Sequence, residues 1–159
     1  MSRVGIGYDS HRLLAGRRLV IGGIELPAER GLDGHSDADV LAHAVIDALL
    51  GACALGDIGE HFPPSDERWR DADSIDLLET VVAMVAGAGF QIVNVDSTVV
   101  MEQPKLAPYR QAIRERLSRA LGLPLERVSV KASTGEGIGF VGRGEGVAAL
   151  ATASLERTG

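Results

Sequence analysis

Near the N-terminus, the stretch GIGYDSHR sets Asp9 and His11 two residues apart on an apolar, glycine-punctuated run. In an extended chain, residues i and i+2 project to the same side, so a carboxylate and an imidazole stand together. Such a pair is two-thirds of a divalent-metal grip. A catalytic zinc-type site uses three protein ligands and keeps its fourth position open. His43 is the candidate third ligand. It lies in the helical pattern HSDADVLAHAVIDALLGACALG, with Asp39 and Asp47 four residues to either side. That spacing puts all three on one helical stripe, where a carboxylate can orient the imidazole from behind. The alternative reading is a polar helix face carrying a surface histidine.

Four further features can handle anions or cations. His35 and Ser36 stand at the entrance of the same helical pattern, where N-terminal amides favour a phosphate; the competing reading is a turn. The segment from Ser133 to Gly146, STGEGIGFVGRGEG, lacks the GK[ST] ending of a Walker loop. Its glycines, with the Ser133 and Thr134 hydroxyls, can turn amides toward an anion. Glu136 would repel that anion unless a hard Mg²⁺-like cation lay between them, and a plain hairpin loop is the equal competitor. Arg143 suits bidentate phosphate contact. Lys105, between two prolines in QPKLAPY, is a cation on a stiffened stretch. His61 reads as a loop-surface residue and Cys53 as a small core residue.

The elements that must position these groups follow from periodicity. Residues 2–10 read as a strand, and 17–26 as a second strand bent around Gly22-Gly23. A helix follows, with Ser36 as N-cap and Asp39 three residues later as a weak capping box, ending at Gly51 or Gly56. Its apolar face is Val40, Leu41, Ala44, Val45, Ala48 and Leu49. A polar loop, DIGEHFPPSDERWRDAD, leads to a helix after Ser74 that stops at Gly87-Ala88-Gly89. Residues 90–101 alternate as a strand. A third helix has Pro108 near its first turn and Gly122 as C-cap. RVSVKAS and GVAALATASLE close the chain as strands. The expected fold is one domain over residues 1–159, an α+β sandwich whose mixed sheet has helices on one face.

At 159 residues a chain buries roughly 70% of its unfolded surface without staples. The lone cysteine excludes an internal disulfide and suits a reducing compartment. A net charge of −6 argues against nucleic acid or an anionic membrane as the main partner. The first residues carry no apolar signal-type region and no apolar run is long enough to span a bilayer, so a cytoplasmic location is expected.

Taken together, the motifs GIGYDSHR, GGIELP, HSDADVLAHAVIDALLGACALGDIG, FPPSD, ADS, NVDSTVV, PKLAPY and GFVGRGEG closely resemble those of the 2-C-methyl-D-erythritol 2,4-cyclodiphosphate synthase family, in the family's order from Arg3 to about Leu155. The resemblance implies a divalent site, Zn²⁺ or Mn²⁺, on Asp9, His11 and His43, and a second cation, Mg²⁺ or Mn²⁺, on Glu136. It places phosphate contacts on His35 and Ser36, and credits His35 and Thr134 with stabilising the transition state. Asp57, Ile58 and Gly59 would hold the sugar portions, with Phe62, Pro63, Pro64, Ser65 and Asp66 as a substrate loop. Met101, Glu102, Gln103, Pro104, Lys105, Leu106 and Ala107 would form a cytidine-binding wall. Ser133, Thr134, Gly135 and Glu136 would contact nucleotide and diphosphate. It also implies a small CDP-linked substrate, a homotrimer with sheets toward the central axis and active sites between subunits, and Phe140 and Arg143 lining an axial cavity proposed to take isoprenoid diphosphates. Ser133 stands where the family commonly has threonine, and Met101 where alanine is frequent.

Overall fold

Two glycines decide how the first strand meets the first helix. In a computed structural model describing residues 1–159, strand β1 (Ser2–Ala15) lies directly on helix α1 (Val40–Cys53). A Cβ built on Gly7 would stand 1.8 Å from the Ala44 carbonyl oxygen, and one on Gly5 1.9 Å from that of Ala48. Neither backbone can yield without moving the helix. Gly7→Ala is therefore expected to destabilise the fold by about 3 kcal/mol or more, the upper range of overpacking. That corresponds to a melting temperature lower by roughly 6–12 °C for a chain of this size, readable by calorimetry.

The main sheet has the order β4-β1-β7-β5-β6, with β4 spanning Arg30–Leu32, β5 Phe90–Val100, β6 Val128–Ser133 and β7 Gly146–Arg157. Strand β7 pairs antiparallel with both β1 and β5, whereas β5 and β6 run parallel. The odd-numbered residues of β1 and β7 face the helices. The opposite face carries Val4, Ile6, Tyr8 and Leu150, exposed by 72, 70, 53 and 40% respectively. All the long helices, α1, α3 (Ser74–Gly87) and α4 (Arg110–Leu121), pack on the other side. Between α1 and α3, the short helix α2 covers Ile58–His61 within the expected loop. A last short helix, α5 (Gly139–Gly142), interrupts the glycine-rich segment.

The structure corrects three expectations. Residues 17–26 form no single bent strand: β2 (Leu19–Ile21) and β3 (Ile24–Leu26) make a separate hairpin. Gly22 and Gly23 are its turn, with φ of 59° and 77°, the left-handed pair that a tight hairpin requires. The N-cap of α1 is Asp39, not Ser36. Its carboxylate accepts from Ala42 N at 3.0 Å and from Gly22 N and Gly23 N at 2.8 and 2.7 Å, welding the hairpin turn to the helix. Burial pushes its pKa up to about 6 against the pull of those donors. Finally, α1 ends at neither Gly51 nor Gly56 but at Ala54, in the left-handed conformation. The helix is buried all round apart from Asp47 and Gly51, because the sheet covers one side and α3 another. Cys53 is buried within the core as expected, and burial raises its thiol pKa.

Candidate metal centre and a second cleft

Alternation along β1 aims Asp9 and His11 at the helix side, and the second turn of α1 brings His43 against them. Asp9 Oδ2 lies 2.8 Å from His11 Nε2 and 3.1 Å from His43 Nδ1. The two ring nitrogens are 3.4 Å apart. Tetrahedral bonds of about 2.0–2.1 Å place ligand atoms about 3.3 Å from each other, so this triangle fits one small divalent ion. Among the chain's His, Cys, Asp and Glu residues, these three form the one group with ligand atoms so convergent.

The far side of each imidazole is also fixed. His11 Nδ1 donates to the Asp33 carbonyl at 2.8 Å, which turns Nε2 toward the cluster. The adjacent Gly34 leaves room for the ring, since a Cβ there would sit 3.1 Å from His11 Cε1. Arg17 holds that segment in place through the carbonyls of Leu32, Gly34 and Ser36. His43 Nε2 faces Ser74 Oγ at 2.8 Å and Ser36 Oγ at 3.2 Å. Asp39 and Asp47 do not orient His43: the first caps α1 and the second accepts from Ile58 N at 2.8 Å. Burial pushes the Asp9 carboxyl up, but hydrogen bonds and charge from His11 and His43 outweigh it and hold the pKa below its ordinary value. Burial likewise opposes a charged His11, yet Asp9 and the Asp33 carbonyl raise its pKa. A site that favours both a carboxylate anion and positive charge beside it is built for a cation.

The cluster opens into a cleft of about 270 Å³ lined also by His35, Ser36, Ile58, Gly59, Phe62 and Pro64. His35 lies five residues before α1 rather than at its cap, and its Nε2 donates to the Asp66 carbonyl at 3.1 Å. Trp69 and Leu77 complete the wall and were absent from the sequence-based candidates. Trp69 meets the Phe62 ring edge-on at 5.1 Å. Asp57, Pro63, Ser65 and Asp66 do not line the cleft. Asp57 caps α2 through Glu60 N, and Arg68 engages the Asp66 carboxylate at 2.6 Å, lowering its pKa. His61 is no free surface group: Nε2 donates to the Leu55 carbonyl at 2.7 Å.

A second cleft, about 320 Å³, gathers Met101, Lys105, Leu106, Ala107, Ser133, Thr134 and Glu136. Glu102 supports it from outside by accepting a very short hydrogen bond from Gly135 N. Glu136 sits at φ 54°, with its amide on Thr134 Oγ1 at 3.2 Å. It belongs to no three-ligand group of this chain. Gln103 and Pro104 face a different depression, beside Pro27 and Arg30. Phe140 and Arg143 line neither of these clefts, and the Arg143 fork is taken by Glu145 at 3.0 and 3.3 Å.

No residue is shared by the two clefts. The ladder register runs Asp9–Ala149–Val99–Ala132 straight across the sheet. Three strand spacings therefore separate the carboxylate from the Ser133 region, about 14 Å. No helix is long and apolar enough to cross a membrane.

A family model described as the YgbB family matches residues 2–156. The chain is 59% identical to the 2-C-methyl-D-erythritol 2,4-cyclodiphosphate synthase of Symbiobacterium thermophilum, across 96% of this chain and 97% of that protein. A solved 2C-methyl-D-erythritol-2,4-cyclodiphosphate synthase in a CDP-bound form superposes with a TM-score of 0.90 at 38% identity, over 97% of this chain and all of that one. The bifunctional IspDF of Campylobacter jejuni matches with a TM-score of 0.95 at 39% identity, over 99% of this chain and 42% of that longer chain. With fold, motif order and identity agreeing along its length, the chain belongs to the YgbB family, alongside relatives named 2-C-methyl-D-erythritol 2,4-cyclodiphosphate synthase.

Proposed function

We propose that this protein cyclises 4-diphosphocytidyl-2-C-methyl-D-erythritol 2-phosphate to 2-C-methyl-D-erythritol 2,4-cyclodiphosphate and releases CMP. The observation that carries the reading is the convergence of Asp9, His11 and His43 at the floor of a cleft that also holds His35 and Ser36. A 2-phosphate oxygen bonds to the β-phosphorus as the bond from that phosphorus to the α–β bridging oxygen breaks, and CMP departs with the bridging oxygen. The nucleophile is already an anion, so no general base is required. Phosphoryl transfer asks the protein for alignment and charge neutralisation.

Asp9, His11 and His43 would hold a divalent ion, Zn²⁺ or Mn²⁺, which would supply positive charge at the diphosphate; one carboxylate and two neutral imidazoles would leave it a net +1. His35 and Ser36 position the β-phosphate from the cleft wall. Ile58, Gly59 and Phe62 enclose the sugar alcohol. Met101, Lys105, Leu106 and Ala107 hold the cytidine, while Ser133 and Thr134 present hydroxyls to the diphosphate and Gly135, pinned by Glu102, fixes the turn between them and Glu136. Glu136 would hold a second cation, Mg²⁺ or Mn²⁺, which would add positive charge beside the diphosphate.

The working unit in this reading is a homotrimer. Helices cover only one face of the sheet, and the Val4, Ile6, Tyr8 and Leu150 side is the apolar face that other copies bury. The metal centre of one subunit then meets the nucleotide cleft of its neighbour, and Phe140 and Arg143 approach the axis. The test incubates the protein with the CDP-linked substrate and Mg²⁺, with and without chelator, and follows CMP and the product by phosphorus NMR. A cyclic diphosphate with equimolar CMP, lost on chelation, is expected. Linear phosphate products would instead mark a metal-dependent phosphohydrolase.

A further inference from the structure

His43 enters the metal cluster through Nδ1, and its other ring nitrogen decides whether Nδ1 offers a lone pair or a proton. Nε2 stands 2.8 Å from Ser74 Oγ and 3.2 Å from Ser36 Oγ. A serine hydroxyl has one proton and two lone pairs. The Ser74 proton is committed, because Oγ donates it to Asp37 Oδ1 in a very short hydrogen bond. Toward His43, Ser74 is left only as an acceptor. The Asp37 carboxylate is held in turn by Ser74 N at 3.0 Å and Asp39 N at 3.1 Å. Ser74 is fully buried, so water does not compete for its lone pair. With a cation between the three ligands, the proton arrangement that satisfies every group has Nε2–H donating to Ser74 and the Nδ1 lone pair turned to the cation beside Asp9 and His11.

We propose that Asp37 and Ser74 form a carboxylate–hydroxyl relay that locks His43 as an Nδ1 metal ligand, which makes Ser74 a positioning residue for the metal. The relay ties two helix entrances together, since Asp37 precedes α1 and Ser74 opens α3. Metal affinity thereby depends on the docking of α3 against α1. The inference rests on the reading of Asp9, His11 and His43 as a metal site.

The test uses Zn²⁺ alone, titrated against a competing chelator with no substrate present. Ser74→Ala is expected to weaken Zn²⁺ binding about 10- to 100-fold, the usual cost of losing such a supporting partner, while Ser74→Thr, which keeps the hydroxyl, stays within about threefold of the parent. Because threonine adds a methyl at a fully buried position, the visible spectrum of the Co²⁺-loaded Ser74→Ala protein gives a second reading, and an altered ligand field is expected. A serine that served packing alone would lower the melting temperature of the metal-free protein and leave both readings unmoved. Zn²⁺ affinity of Ser74→Ala within about threefold of the parent, with an unchanged Co²⁺ spectrum, overturns the relay. A parent protein that binds no Zn²⁺ overturns the metal site itself and the relay with it. Failure of cyclisation with these metal readings intact falls on the proposed reaction instead.

Discussion

Asp9→Ala is expected to lose the metal and to lower kcat/KM for CMP release by about 10³-fold or more, equivalent to roughly 4 kcal/mol of transition-state stabilisation. The size follows from how much depends on one oxygen. Asp9 Oδ2 is the atom common to both imidazole contacts, at 2.8 and 3.1 Å, and it is the only anionic ligand of the three. Without it two neutral ring nitrogens remain, too few for a site that works with three protein ligands. No arginine or lysine lines the cleft to neutralise a diphosphate in its place, His35 Nε2 is engaged by the Asp66 carbonyl, and Arg17, outside the cleft, is consumed by backbone carbonyls. Asp9→Asn separates charge from shape: it keeps an acceptor oxygen but removes the anion, and should fall between the parent and Asp9→Ala in metal content. His43→Ala should match Asp9→Ala. Metal content by elemental analysis and CMP release by chromatography check both, and full turnover by a metal-free variant would refute the assignment.

The part of this site that sequence exposes is the part with local periodicity. Asp9 and His11 share a face because strand side chains alternate, and the placement of His43 follows from a strong helical pattern. Their partners were hidden because they come from distant chain. Ser74 is 31 residues from His43, and the Asp33 carbonyl that orients His11 is a backbone group carrying no residue signature. The same blindness explains Asp39 and Asp47. Their i±4 spacing from His43 is real, yet each carboxylate is drawn to unpaired backbone amides that only the folded chain supplies, at Gly22-Gly23 and Ile58. Gly22-Gly23 reads as a bend rather than a hairpin turn because Ile21 and Ile24 flank it, so apolar continuity outweighs the paired-glycine signal. Trp69 and Leu77 gave no chemical hint at all, as aromatic and aliphatic side chains look alike whether they fill a core or line a cleft. The glycines of β1 tell the opposite story. In the sequence Gly5 and Gly7 only punctuate an apolar run, whereas in the structure they allow strand and helix backbones to meet.

Mixing two inactive variants should restore activity. The metal triad and the Ser133–Glu136 cleft stand about 14 Å apart across three strand spacings, at one level of the same sheet. If each working site joins the triad of one subunit to the nucleotide cleft of the next, Asp9→Ala damages one half and Glu136→Gln the other. In such a homotrimer each variant alone would be dead in every site. After the two are unfolded together in equal amounts and refolded, a site is intact when an Asp9-bearing subunit meets a Glu136-bearing neighbour. Random assembly around a cyclic trimer makes about one quarter of the sites intact, so about one quarter of parental activity is expected, against background for either variant refolded alone. A site built within one chain gives a different result, because every subunit in the mixture still carries its own defect and no activity returns. Ile6→Glu sharpens the comparison: it places a charge on the exposed apolar sheet face, and should leave a folded monomer with intact Zn²⁺ binding that neither turns over nor complements. A monomeric Ile6→Glu protein at full activity would dismantle the intersubunit site while sparing the metal centre, since the triad needs only β1 and α1 of a single chain.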